Sequence, residues 1–193
     1  CDIDKAEQFG KLLWATACAV GADRARILVF ICDGAIWIWN LIAHYFPNAI
    51  QIVDWYHAAD RLKRIAEEAF SDLAERQAWL ECVTEDLWQG RVELVIEACR
   101  SLTRKSNLAK QSLGYYGDNL ERMRYAHFRT AGYLIGSGVI ESGCKQIVTQ
   151  RLKLPGAQWN LDGAILTAKA RAAWLSGNWQ NLVAARSFLP RAA

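Results

Sequence analysis

Three acidic side chains stand where chemistry could be sited: Asp33, Asp54 and Glu141. The two aspartates each end an apolar run, and Glu141 follows a glycine-rich phrase that leads into a predicted helix. Each also has an ordinary structural explanation, because aspartate favours turns and helix N-caps, and a glutamate near a helix N-terminus is stabilised by the helix dipole. Whether they act together therefore depends on the elements that position them.

A predicted strand, helix and second strand surround the two aspartates. Residues 26–33 contain five consecutive large apolar residues before Asp-Gly, which is typical of a strand buried on both faces of a parallel sheet. Residues 36–46 are predicted as a largely buried helix ended by a proline, and residues 49–54 as the second strand. Strands joined in this way run parallel, so Asp33 and Asp54 are expected at the carboxyl edge of the sheet, where open α/β sheets place their chemistry.

Helices are predicted for most of the remaining chain. Residues 5–20 carry apolar residues at helical spacing before a glycine stop. The pattern from residue 55 to about residue 130 is helical, apart from a loop predicted at residues 113–118 because of their two glycines. The resulting class is a helix-rich α/β protein.

The glycine-rich phrase leads into a further predicted helix that carries Glu141. Ser137 is expected to cap this helix, and Gly143 indicates a close approach by another backbone or a ligand. The predicted buried stripe comprises Ile140, Cys144, Ile147 and Val148. On the opposite side, Glu141, Lys145 and Thr149 recur every four residues and would share one exposed edge.

Composition and charge exclude several classes of protein. Of the 193 residues, 52% are hydrophobic and 22% are charged, which excludes a disordered or collagen-like chain. No apolar run approaches the roughly 18 residues of a membrane span, so we expect a soluble, cytoplasmic protein with no membrane partner. The six scattered cysteines encode neither a zinc site nor a disulfide framework, and we expect them to be small buried hydrophobes.

Charge is segregated along the chain. Residues 67–97 are mainly acidic, whereas residues 100–153 are mainly basic. Such a basic block could neutralise phosphates of a nucleic acid or could be a solvated helix face, and charge alone does not decide between them. Its members are Arg100, Arg104, Lys105, Lys110, Arg122, Arg124, Arg129, Lys145, Arg151 and Lys153.

Three ordered phrases carry a resemblance to a known family. They are DGAIWIW at residues 33–39, FPNAIQIVDWYH at residues 46–57 and IGSGVIESGCKQIVTQR at residues 135–151, followed by Trp159. Together they resemble the Kra-type insertion-sequence transposases, which are bacterial DDE transposases related to the Mutator-like group. The resemblance implies a catalytic core of RNase H-like fold, interrupted by an all-helical insertion between its second and third acidic residues.

The resemblance also implies a division of the chain. Residues 1–57 would belong to the RNase H-like sheet, residues 58–132 would form the helical insertion, and residues 133–193 would return to the core with the glutamate-bearing helix. The expected activity is Mg²⁺- or Mn²⁺-dependent cleavage and strand transfer at the ends of a mobile insertion sequence. The expected partners are double-stranded DNA of the transposon ends and target, and further copies of the chain in a nucleoid-associated active complex.

Individual residues acquire roles through the same resemblance. Asp33 and Glu141 would be the second and third acidic residues and would hold the metal ions, whereas Asp54 and His57 match the accompanying D-x-x-H signature with an auxiliary catalytic role. The DNA-binding residues would be Lys145, Arg151 and Lys153, which would hold phosphates, and Trp159, which would either stack on an extruded base or be buried in the core.

The first acidic residue of the family pattern has no counterpart in the sequence. Asp2 and Asp4 precede a predicted helix and are not embedded in an apolar strand. With no initiator methionine at Cys1, we expect this chain to be part of a longer protein whose upstream segment supplies the first acidic residue and neighbouring strands. An RNase H-like nuclease and a non-catalytic DNA-binding or regulatory module are the alternative functions.

A prediction follows from the missing acidic residue. The 193-residue chain alone, supplied with Mg²⁺ and DNA, is expected to join no DNA ends because one of its metal-binding carboxylates is lacking. Gel analysis of a labelled donor DNA mixed with a plasmid target measures this. Joined product formed by this chain alone would contradict the prediction.

Overall fold

The predicted strand–helix–strand unit is present. In the computed structural model, which describes residues 6–187 and their side chains as far as residue 184, strands β1 (Val29–Cys32) and β2 (Ile50–Val53) pair in parallel. Helix α2 (Ile36–Tyr45) connects them. The register places Cys32 beside Val53, so the two strands end together. The helix-rich α/β class is thereby confirmed.

The burial of the sheet differs from the prediction. Ile52 and Val53 of β2 are fully buried, but every residue of β1 is only half-buried. Burial on both faces needs neighbours around a strand, and within residues 6–187 the sheet has two strands only. The far side of β2 is covered by a 3₁₀ turn, Leu120–Met123, from which the Nε of Arg122 donates to the side-chain oxygen of Gln51 at 2.7 Å.

Helix α1 (Ala6–Ala19) matches the prediction and is followed by Gly21 at a φ of 95°. It packs on α2, where the rings of Phe9 and Trp37 meet edge to face with centroids 6.3 Å apart. Asp2 and Asp4 precede α1 and lie outside the described residues.

The predicted helical region comprises five helices that share one core with the sheet. They are α3 (Trp55–Ala69), α4 (Leu73–Trp88), α5 (Val92–Ser101), α6 (Asn107–Asp118) and α7 (Tyr125–Thr130). Fully buried side chains from several of these helices and from β2 form a single apolar cluster. The helices therefore complete the core that the small sheet begins, and all of these elements belong to one unit, Ala6–Ser137.

The loop predicted at residues 113–118 is wrong, because α6 runs through it. Both glycines, Gly114 and Gly117, face open space, and each costs about 1 kcal/mol relative to alanine. The helix is secured at its start, where Ser106 caps it and the Glu68 carboxylate of α3 accepts from the Ser106 hydroxyl at 2.8 Å. It is secured again where the buried Tyr116 hydroxyl donates to the Ala58 carbonyl at 2.8 Å.

The described residues from Gly138 onward form a second unit. It contains α8 (Gly138–Cys144), a π-helical turn (Lys145–Thr149), α9 (Gln150–Leu152), α10 (Leu161–Leu175) and α11 (Trp179–Ser187).

The stripe predicted on the glutamate-bearing helix is not buried. Ile140 and Cys144 are exposed, and Ile147 and Val148 are half-buried. The π turn also adds a residue to the helical repeat, so the four-residue spacing of Glu141, Lys145 and Thr149 no longer places them on one line. Apart from the backbone of its own helix, no atom of the described chain lies within 4 Å of a Cβ placed on Gly143, so no other backbone segment makes the expected close approach.

The described cysteines and helices bear on two further expectations. Cys18, Cys32, Cys82, Cys99 and Cys144 are all free thiols. Cys99 is buried as expected, but Cys82 and Cys144 are exposed. Among the residues that the structure describes, no helix combines the length and apolarity needed to cross a membrane.

Replacing Tyr116 with phenylalanine tests how α6 is held. Loss of the buried hydrogen bond to Ala58 should lower the free energy of unfolding by about 1 kcal/mol, as measured by urea denaturation. Tyr56→Phe is the matched control, because Tyr56 is 62% exposed and its replacement should change stability by less than about 0.5 kcal/mol. Equal losses in the two variants would contradict this account of α6.

Candidate functional site at the carboxyl edge of the sheet

Asp33 and Asp54 occupy equivalent positions in the two paired strands, because each directly follows the last residue of its strand. The Asp54 amide donates to the Cys32 carbonyl at 2.7 Å, which continues the ladder to the end of the sheet. The parallel register therefore brings both aspartates to the carboxyl edge, where the sequence predicted them.

The Asp33 carboxylate is exposed and only partly engaged. Its Oδ1 accepts a hydrogen bond from the Ala35 amide at 3.0 Å, an arrangement that aspartate commonly makes in turns. Gly34 between them has a φ of 96°, which a side chain would disfavour. Among the described residues, no hydrogen bond reaches the other oxygen of Asp33, which leaves it open for a ligand.

Asp54 has the opposite environment, being 1% exposed. Its Oδ1 accepts from the His57 amide at 2.9 Å and caps α3, and the Nδ1 of His57 lies 3.2 Å from the same oxygen. Its Oδ2 accepts from the Ser137 amide. Both oxygens of Asp54 therefore accept hydrogen bonds. One oxygen caps α3, and the other holds Ser137 at the end of the first unit, a contact that we call the Asp54 latch.

The charge of Asp54 is favoured despite its burial. Burial alone would raise the pKa of this carboxyl, but hydrogen bonds from Ser137 and His57 outweigh it and lower the pKa below its ordinary value. Asp54 is therefore ionised at neutral pH, and the half-exposed His57 ring lies beside a fixed negative charge.

The segment held by Asp54 fits closely against the start of α3. The Trp55 amide donates to the Ile135 carbonyl at 2.9 Å. A Cβ on Gly136 would lie 2.8 Å from the Tyr56 ring, so this position admits only glycine without movement of the ring. Ser137 was expected to cap the next helix, but the observed contact of its amide is with Asp54.

Sequence reasoning missed two residues at this edge. The Tyr115 hydroxyl donates to the Asp33 carbonyl at 3.1 Å, and the Asn119 side chain donates to the Gly34 carbonyl at 3.3 Å. Both contacts join residues more than eighty positions apart, and residues 113–118 were interpreted as a loop, so no local signal identified them.

The remaining predicted site residues belong to the second unit. Glu141 is exposed on α8, before the π turn that contains Lys145. Arg151, Lys153 and Trp159 are also exposed, and Trp159, at 38%, is not the buried core residue that was the alternative. Among the described residues, Lys145, Arg151 and Lys153 form no ion pair, which leaves their charges available to a partner.

Part of the basic block is engaged within the protein. Arg124 forms a salt bridge with Glu93 at 2.8 Å and so joins the basic part of the chain to the acidic part. Arg129 stacks on the Trp88 ring at 3.7 Å. Further internal partners hold Arg100, which pairs with Glu97, and Arg122, which lies over Trp39. For these four residues, the positive charge has a structural use that does not require DNA.

Comparisons with protein-family models, with curated proteins and with solved structures find no match to this chain. The site is therefore interpreted from its own donor atoms. Asp33 and Glu141 offer exposed carboxylates, which suit hard cations such as Mg²⁺. The exposed cysteines Cys82 and Cys144 are scattered along the chain, which does not favour a zinc site.

Replacing Asp54 with asparagine tests the latch. The asparagine amide would turn N–H groups toward a backbone N–H, and the unsatisfied buried donors should cost about 1–3 kcal/mol of unfolding free energy. Asp72→Asn is the matched control, because exposed Asp72 caps α4 through a single amide and asparagine caps equally well. Its loss should be below about 0.5 kcal/mol.

The effect of the Asp54 substitution should depend on pH. The pKa of Asp54 is lower in the folded protein than in the unfolded chain, so its stabilisation is complete above about pH 5 and is lost as the pH falls through the folded-state pKa. The difference in unfolding free energy between the wild type and Asp54→Asn should therefore become smaller as the pH is lowered from about 7 to about 2.5. A constant difference across this range, measured by urea denaturation, would be inconsistent with an ionised latch.

Proposed function

We propose that this chain is part of the catalytic domain of a DDE-type transposase, which cuts DNA at the ends of an insertion sequence and joins those ends to target DNA. The observation that carries the proposal is the pair of parallel strands whose carboxyl ends each bear an aspartate, with the Asp33 carboxylate open to a ligand. Open α/β sheets bind ligands at this edge. The family resemblance of residues 33–39, 46–57 and 135–151 supplies the reaction.

The proposal assigns the sheet to an RNase H-like core. The strands β1 and β2 with α2 would be part of that core, and the helices α3–α7 would be the insertion that separates Asp33 from Glu141. This assignment agrees with the order of elements along the chain. The remaining core strands and the first acidic residue would come from elsewhere in the same protein.

Asp33 and Glu141 would hold Mg²⁺ or Mn²⁺, because both present exposed carboxylate oxygens. When bound, paired divalent ions stabilise the attacking and leaving oxygens of an in-line displacement at a phosphodiester. Asp54 is buried and accepts hydrogen bonds through both oxygens, so it would hold the backbone around the site in place. His57 exposes its ring beside the charge of Asp54.

The exposed cations of the second unit would bind the DNA. Lys145, Arg151 and Lys153 are exposed, so they can neutralise phosphates and release counterions. Trp159 is exposed enough to stack on a base. In the active complex, several copies of the protein would hold two transposon ends and the target.

The proposal is tested with the full-length protein that contains this chain. The substrate is a plasmid carrying the DNA that flanks the coding sequence on each side, incubated with Mg²⁺ and target DNA. Asp33→Ala and Glu141→Ala should each reduce cleavage and joining by about 100-fold or more. Asp23→Ala is the matched control, since this exposed aspartate lies in the 3₁₀ turn at Ala22–Arg24 and should leave the activity unchanged.

The same assay distinguishes the alternatives. Nicking without joined product would replace the proposal with an RNase H-like nuclease. Salt-dependent DNA binding that needs no metal and is unaffected by Asp33→Ala and Glu141→Ala, with no cleavage, would favour a DNA-binding or regulatory module. Either result would overturn the transposase proposal.

A further inference from the structure

The turn that carries Asp33 is held by a helix from a distant part of the chain. The Tyr115 hydroxyl on α6 donates to the Asp33 carbonyl at 3.1 Å. Four residues later, just beyond the end of α6, the Asn119 side chain donates to the Gly34 carbonyl at 3.3 Å. Two successive carbonyls after β1 are therefore fixed from one helix.

The fit between this helix and the turn is close. A Cβ on Gly34 would lie 2.7 Å from the Tyr115 ring, in addition to the strain of its φ of 96°. Two constraints therefore favour glycine at position 34: the positive φ of its backbone and the close approach of the Tyr115 ring. Asn119 is 2% exposed, and its amide also donates to the Tyr115 carbonyl at 3.0 Å, so the two residues are coupled.

Tyr115 is itself held in place from α3. The Arg61 guanidinium lies over its ring, 4.3 Å from the centroid, and donates to the buried Ser112 hydroxyl one turn earlier on α6 at 3.2 Å. Burial raises the pKa of Tyr115 to about 12, so its hydroxyl is protonated and able to donate at neutral pH.

The direction of the Asp33 carboxylate depends on this turn. Its Oδ1 accepts from the Ala35 amide, and that amide belongs to the turn whose carbonyls Tyr115 and Asn119 hold. Fixing the backbone of residues 33–35 therefore fixes the side chain that the proposed function assigns to metal binding. A preorganised ligand binds a metal ion more tightly because less freedom is lost on binding.

We propose that Tyr115 and Asn119 are positioning residues for Asp33, so that the helical region sets the orientation of a metal-binding carboxylate at the edge of the sheet. The inference rests on the proposed function, since it gives Asp33 a ligand to hold. It assigns to the helical region a direct part in assembling the site, beyond its contribution to the core.

The test compares two neighbouring tyrosines in the full chain. Tyr115→Phe removes the hydroxyl that holds Asp33, whereas Tyr116→Phe removes a buried hydroxyl that bonds to Ala58 and does not touch the turn. Each variant loses one hydrogen bond from a tyrosine hydroxyl to a carbonyl. Because Tyr116 is the more buried of the two tyrosines, a general loss of stability should affect Tyr116→Phe at least as much as Tyr115→Phe. Asn119→Ala removes the other side chain that holds the turn, and we call Tyr115→Phe and Asn119→Ala the clamp variants. Asp33→Asn reports on the metal site itself.

Two measurements are made on each variant. Hydrogen exchange of the Ala35 amide reports the order of the turn without reference to any metal, and it should be faster in Tyr115→Phe and Asn119→Ala than in Tyr116→Phe. Calorimetric titration with Mn²⁺ reports the site, and the affinity should fall about three- to tenfold in both clamp variants but not in Tyr116→Phe.

The outcomes separate this inference from the proposed function. If Asp33→Asn leaves Mn²⁺ affinity unchanged, the metal-binding role of Asp33 is wrong and the positioning role fails with it. If Asp33→Asn weakens Mn²⁺ binding but Tyr115→Phe and Asn119→Ala match Tyr116→Phe in both measurements, the positioning role alone is wrong. Faster exchange and weaker Mn²⁺ binding confined to the clamp variants would support the inference.

Discussion

A parallel sheet of two strands cannot bury enough apolar surface to be stable alone, and this constraint shapes the unit Ala6–Ser137. The carboxyl-terminal half of β2 is fully buried, yet only one strand covers it laterally within that unit. The missing cover comes from helices, and α3–α7 contribute most of the buried side chains around the sheet. The sheet and the helical region consequently depend on each other for a core.

This mutual dependence explains why long-range polar contacts are present at the carboxyl edge. The edge is where the chain leaves the sheet twice, and buried backbone groups at such exits need partners. Asp54 supplies one set by accepting from the amide of His57, in the first turn of the helical region, and from that of Ser137, beyond its end. Tyr115 and Asn119 supply the other set by donating to the turn after β1. The donors and acceptors that close the fold thus also define the candidate site.

Much of the fold was predictable because its signals are local. The apolar runs before Asp33 and Asp54 predict two parallel strands, and the structure contains this pair with a helix between them. The two aspartates follow the strands at the same edge of the sheet. The cap of α3 by Asp54 was also foreseeable, since aspartate before a helix is a common N-cap. These features require only the residues within a few positions of each other.

The features that sequence patterns missed depend on contacts between distant residues. Gly114 and Gly117 suggested a loop, but tertiary contacts through Tyr115 and Tyr116 outweigh the helical cost of two glycines. The stripe through Ile140 and Cys144 indicated a buried face, although neither side chain is covered within its own unit. Periodicity reports which face of a helix is apolar, and packing decides whether that face is buried.

The two adjacent tyrosines of α6 show how one short phrase can serve both stability and the site. Their side chains are one residue apart and therefore leave the helix in different directions. Tyr116 reaches the Ala58 carbonyl and ties α6 to α3, while Tyr115 reaches the Asp33 carbonyl at the sheet edge. Because α3 also begins at the Asp54 cap, a displacement of α6 would disturb the surroundings of both aspartates. The geometry of the carboxyl edge is therefore a property of the helical packing as much as of the strands that end there.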